Sequence, residues 1–83
     1  MMRRYVRIST DKAAVISFDG GARIIMCVIR DISDGGAGLA VATTDGIPDQ
    51  FLLTVKGEEK NRACTVRWRQ PNRLGVSFDD ASS

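Results

Sequence analysis

Eighty-three residues, 43% hydrophobic and 27% charged, bound this chain to one globular domain, 1–83, with a single small core. A formal net charge of +2 is too small for general nucleic-acid binding, and a chain without His lacks the commonest general base and every Ser-His or Cys-His pair, so no enzyme is expected. No stretch approaches the length of a membrane span and no apolar core follows the basic N-terminus, which points to a cytoplasmic protein without a signal peptide.

The chain opens on Arg3-Arg4-Tyr5-Val6-Arg7, three guanidinium groups within five residues. Residues 1–10 read as a flexible basic segment, because like charges repel and little apolar surface is available to bury. Residues 13–18 are a short apolar, β-branched run closed by Asp19-Gly20-Gly21, a hairpin signal. Residues 23–32 follow as a central strand: Ile24, Ile25, Met26, Cys27, Val28 and Ile29 are apolar on both faces, and polar positions at helical spacing are missing. Residues 31–38 form a turn with three glycines, and 38–42 resume as a strand. Asp45-Gly46-Ile47-Pro48-Asp49 is a second turn, with Pro48 placed to open a single helical turn. Residues 51–55 are a strand and 56–61 a charged hairpin loop.

The last two strands show the cleanest alternation. Cys64, Val66 and Trp68 alternate with Thr65, Arg67 and Arg69, then Leu74, Val76 and Phe78 with Gly75 and Ser77, across the turn Gln70-Pro71-Asn72-Arg73. Period-two alternation on both sides of a turn is a hairpin with one face in the core, and it assigns Trp68 to the core. The tail 79–83 is polar and expected to fray. Cys27 and Cys64 lie inside apolar strand patterns and read as small buried hydrophobes in a reducing compartment, not as a disulfide or a metal site. Six short strands without a long helix give an all-β class, a small six-stranded antiparallel barrel over 12–79, because closure removes exposed edges.

Two polar clusters stand apart from this core pattern. Arg3, Arg4 and Arg7 form the first. In extended chain Arg3 and Arg7 point to one side about 13 Å apart, and each offers a bidentate fork and a flat stacking face that Lys lacks. Taken alone, the cluster also fits a solvated basic tail. The second is Asp31-Ile32-Ser33-Asp34-Gly35-Gly36. Asp31 is a matched acceptor for the N1–H and N2–H₂ donors of a guanine edge, Ser33 adds a hydroxyl, and Gly36 permits close backbone approach. Taken alone, this cluster also fits an Asx or Ser turn.

Arg-x-x-x-Arg from Arg3 to Arg7, followed after one hairpin by Asp-x-Ser-x-x-Gly from Asp31 to Gly36, resembles the PilZ domain. Gly38-Leu39, the strand Cys64-Thr65-Val66-Arg67-Trp68 and the strand Leu74-Gly75-Val76-Ser77-Phe78 extend the resemblance over nearly the whole chain. The resemblance implies a six-stranded barrel that binds the bacterial second messenger cyclic di-GMP on its outer surface, with the N-terminal arginine segment closing over the ligand. It implies ligand-binding roles for Arg3, Arg4, Arg7, Asp31, Ser33 and Gly36, no resident cofactor or metal, and a downstream protein partner that reads the liganded surface. Two other readings compete: an interaction module of the same fold that binds no ligand, and a small single-stranded nucleic-acid-binding barrel. The low charge and the expected lack of exposed aromatics argue against the latter.

Overall fold

A computed structural model describes residues 8–79. Arg3, Arg4 and Arg7, and with them the expected flexible segment up to residue 7, lie outside the described residues. Six strands run in the order β1 (Ile8–Phe18), β2 (Arg23–Ile32), β3 (Gly36–Ala40), β4 (Gln50–Val55), β5 (Asn61–Gln70) and β6 (Arg73–Phe78). They close into an antiparallel barrel with neighbours β1-β2-β3-β6-β5-β4, β4 pairing back onto β1. Closure leaves no exposed sheet edge. Among the described residues no helix is long and apolar enough to cross a membrane.

Alternation fills the interior. Ile16, Ile29, Leu39, Leu53, Leu74 and Cys64 are fully buried, one or more from each strand, and Phe51, Val55, Val76 and Phe78 complete the core. Both cysteines are buried and outside any disulfide, and burial pushes Cys27 up to about 11, as expected of a thiol whose charged form has lost its water.

Several expectations need correction. β1 begins at Ile8, so residues 8–10 belong to the sheet and not to a flexible segment, with Ile8 opposite Ile32 and Ser9 opposite Asp31. β3 begins at Gly36 instead of 38. Pro48 opens no helical turn: the segment 41–49 turns at Asp45 and Gly46, and β4 begins at Gln50, two residues after Pro48, which leaves no room for one. Asp79 is held by the Thr65 hydroxyl, 2.7 Å away, although it opens the tail expected to fray. β2 is not buried on both faces: Met26 is 74% and Ile24 65% exposed.

The C-terminal arginines do not act as one basic patch. Arg69 donates to the carbonyls of Thr44 and Ile47 at 3.2 and 3.0 Å and to the Asp49 carboxylate at 3.0 Å. The Thr44 hydroxyl, in turn, donates to the Gln70 carbonyl at 2.8 Å, and Val41 and Thr44 donate their amides to Asn72 and Pro71. These bonds fasten the segment 41–49 to the β5–β6 hairpin. Arg62 lies over the Phe78 ring, 4.8 Å from its centroid.

Candidate ligand site

Three register shifts interrupt the barrel's ladders, between Ser9 and Lys12 on β1, Ile29 and Asp31 on β2, and Val66 and Trp68 on β5. The second and third each set two steps of one strand against a single step of its partner. Such bulges re-aim a side chain while leaving the strand in the sheet. The β2 shift turns Asp31 to the outer surface next to exposed Arg30. The β5 shift does the same for Trp68 next to Arg67. Trp68 is therefore 46% exposed and not a core residue, contrary to the expectation from its alternation with Val66.

The consequence is one transverse row across four strands. Asp31 pairs with Gly38, Gly38 with Gly75, and Gly75 with Trp68. Paired residues in an antiparallel ladder present their side chains on the same face, so a carboxylate and an indole stand on the outer wall with two glycines between them. Each leans over the glycine beside it. A Cβ added at Gly38 would lie 2.8 Å from the Asp31 carboxylate, and one at Gly75 would collide with the Trp68 indole. Gly38 and Gly75 are both buried, which for outward positions means covered by these two side chains. Three inter-strand spacings separate the strands of Asp31 and Trp68, about 14 Å along the wall. The result is a shallow trough with a flat backbone floor, an acceptor on one bank and an aromatic plane on the other.

Around this row lie two clefts. One, about 420 Å³, is lined by Ser33, Gly35, Gly36, Arg67, Trp68, Gly75, Val76 and Ser77. The other, about 380 Å³, is lined by Ser9, Thr10, Asp11, Arg30, Asp31 and Arg73. Ser33 and Gly36 thus meet Trp68 in one cleft, and Asp31 borders the next. The turn between β2 and β3 is fixed by the Ser33 amide donating to the Gly36 carbonyl at 2.8 Å and the Phe78 amide donating to the Gly35 carbonyl at 2.9 Å. Gly36 is glycine for the sake of the barrel itself, since a Cβ there would collide with the backbone carbonyl of Val76. In the first cleft Arg67 donates from Nε to the Ser77 hydroxyl at 2.9 Å, which holds its guanidinium against the β6 side of the trough. In the second, Arg30 pairs with Asp11 at 3.3 Å.

Arg67, Gly75 and Ser77 are site-lining positions that sequence reasoning did not single out, and Trp68 is one it set aside. One signal pointed to them: a two-residue turn at Pro71-Asn72 with Gln70 opposite Arg73 puts Gly75 directly across from Trp68, a small residue facing the strand's largest.

No curated protein matches the sequence. Among solved structures, the fold is similar to the PilZ domain with c-di-GMP of YcgR from Escherichia coli, at a TM-score of 0.77 and 17% identity, covering 99% of this chain and 81% of that one. It is also similar to the PilZ domain of CeSA from a cellulose-synthesizing bacterium, at a TM-score of 0.67 and 18% identity over 88% of this chain and 79% of that one. A further similar structure is a Legionella protein, with a TM-score of 0.61 and 22% identity over 93% of this chain and 82% of that one. The sequence profile of the PilZ domain matches residues 2–83. With a match of that extent and a closed six-stranded barrel of the same fold, this chain belongs to the PilZ domain family.

Proposed function

We propose that this chain is a cytoplasmic, non-enzymatic receptor for cyclic di-GMP, and that the row Asp31–Gly38–Gly75–Trp68 is the floor of its ligand site. That row carries the reading. A guanine needs an acceptor for adjacent N–H donors and a surface for its face; the trough has a carboxylate, an indole and a floor without side chains between them. Asp31 accepts from the guanine edge, Ser33 adds a hydroxyl, Gly36 lines the cleft beside it, and Trp68 stacks. Arg67, already steered by Ser77, supplies a cation at the trough wall. The solved YcgR domain with c-di-GMP shares the fold.

Arg3, Arg4 and Arg7 close the site. β1 enters the barrel at Ile8, with Ser9 opposite Asp31, and this entry point beside the acidic bank of the trough supports the reading. Two ligand phosphates relieve the repulsion among three guanidinium groups, which then take bidentate and stacking positions over the nucleotide. The ordered arginines change the outer surface, and a downstream protein partner reads that change.

Calorimetric titration with cyclic di-GMP tests the proposal. Saturable heat is expected from the native chain, severe weakening from Arg7→Ala, and no change from Arg62→Ala, whose guanidinium lies over Phe78. No heat at high micromolar ligand would sink the receptor reading and leave the ligand-free interaction module.

A further inference from the structure

Four arginines lie on the β5–β6 hairpin, and three of them are engaged. Arg62 lies over the Phe78 ring, Arg67 donates to the Ser77 hydroxyl, and Arg69 holds Thr44, Ile47 and Asp49. The fourth, Arg73, is exposed. Among the described residues its guanidinium has neither a hydrogen bond nor an ion pair. It opens β6 just before Leu74, which is fully buried. Arg73 therefore points outward, on the same face as Gly75 two residues on.

What Arg73 faces is set by β3. Ala37 and Leu39 point into the core, so the outward positions of β3 are Gly36, Gly38 and Ala40, and nothing larger than a methyl stands between β6 and β2. Arg73, opposite Ala40, thereby shares the cleft of about 380 Å³ with Arg30 and Asp31, two strand spacings or about 10 Å away. The charges in that cleft are not equivalent. Arg30 is paired with Asp11 at 3.3 Å. The Asp31 carboxylate leans over Gly38, toward the trough. The backbone of Arg73 lies one strand and two residues from Gly38, about 8 Å along the wall. Its guanidinium is the uncommitted cation of the cleft among the described residues.

We propose that Arg73 binds a phosphate of the nucleotide and, with Asp31, fixes the direction in which the ligand lies across the barrel wall. This role rests on the reading of the site as a cyclic di-GMP receptor. A phosphodiester is an anion with acceptor oxygens only: Asp31 repels it, and the Arg73 fork both attracts it and donates to it. A guanine edge is the opposite case, because its adjacent N–H donors match a carboxylate and have nothing to offer a guanidinium. The base is thus drawn toward Gly38 and the phosphate toward the start of β6. Arg73 reaches the phosphate from the wall itself, a contact separate from the arginine cluster that precedes β1.

Calorimetric titration of the full chain with cyclic di-GMP, at about 50 mM and about 500 mM salt, tests this. At low salt Arg73→Ala should bind about tenfold more weakly than the native chain, with an unchanged circular-dichroism spectrum, since the side chain is exposed. Its affinity should also fall less between the two salt concentrations, because salt screens an exposed ion pair and a missing pair leaves nothing to screen. Arg73→Lys should recover part of the affinity and the native salt dependence. An Arg73→Ala variant that binds like the native chain overturns the proposal and leaves the receptor reading standing. So does one that is weakened by the same factor at both salt concentrations, the mark of a merely structural role. A native chain that gives no heat overturns the receptor reading and the role of Arg73 with it.

Discussion

The two halves of β2 show how one strand can wear two unlike surfaces. Before the bulge its outward residues are Ile24, Met26 and Val28; after it they are Arg30 and Asp31. The interior side continues through both halves, with Cys27 and Ile29 buried before the bulge and Ile32 packed against the core after it. β5 repeats the device: Cys64 is interior and Val66 partly buried before its bulge, while Arg67 and Trp68 lie side by side outside it. In both strands the extra residue lets two consecutive side chains face solvent without disturbing the core. The apolar half of β2 is regular sheet and the polar half is bulged. The proposed ligand chemistry sits where regular alternation is broken.

The sharpest test of that contrast separates glycines that serve the fold from glycines that serve the trough. Gly36→Ala should cost about 3 kcal/mol in urea unfolding, since a Cβ would meet fixed backbone at Val76. A loss under about 0.5 kcal/mol would show that β3 and β6 can separate freely there. Next in size, Asp31→Ala should weaken cyclic di-GMP binding by about tenfold to a hundredfold in calorimetry, the loss expected for a charge-assisted pair, while Met26→Ala leaves it unchanged. Equal effects from the two would erase the distinction between the halves of β2.

Gly75→Ala should act on the site more than on the fold. The added Cβ displaces the end of a half-exposed indole, not backbone, so the stability change should stay near 1 kcal/mol. Tryptophan fluorescence, with Trp68 the only reporter, should shift, and ligand affinity should fall about tenfold. An unshifted emission spectrum would mean that Trp68 does not rest on Gly75. The smallest effect concerns Cys27, on the inner side of β2. Its folded-state pKa is raised to about 11 from 9.0, so the folded state holds the proton longer than the unfolded chain does. Stability from this group is intact below pH 9 and declines as pH rises from about 9 to about 11. Denaturant midpoints of the native chain and of Cys27→Ala should therefore converge over that window.

Much of the barrel was legible in local pattern. The strand count, the hairpins and the inward Cys64, Leu74, Val76 and Phe78 follow from period-two alternation and turn residues, both local properties. Trp68 was misplaced because its alternation with Val66 was carried straight through β5. The contradiction was nonetheless present in the sequence. A tight turn at Pro71-Asn72 continued in regular register would set inward Val76 against outward Arg67, and only one extra residue on β5 restores Val66 to Val76. The exposed ridge of β2 was invisible for a different reason. Ile24, Met26 and Val28 look like core by composition, and only the closed barrel shows that one face of β2 has nothing packed on it.

By itself, then, the sequence determined the all-β class, the strand order along the chain and the two polar motifs, because alternation, glycine turns and side-chain chemistry act over a few residues. Only the tertiary structure decided that Asp31 and Trp68 share a row, that Arg69 is a tether for the segment 41–49, and that β2 presents an apolar ridge. Those facts depend on register between strands distant in sequence, and register is set when the whole barrel closes.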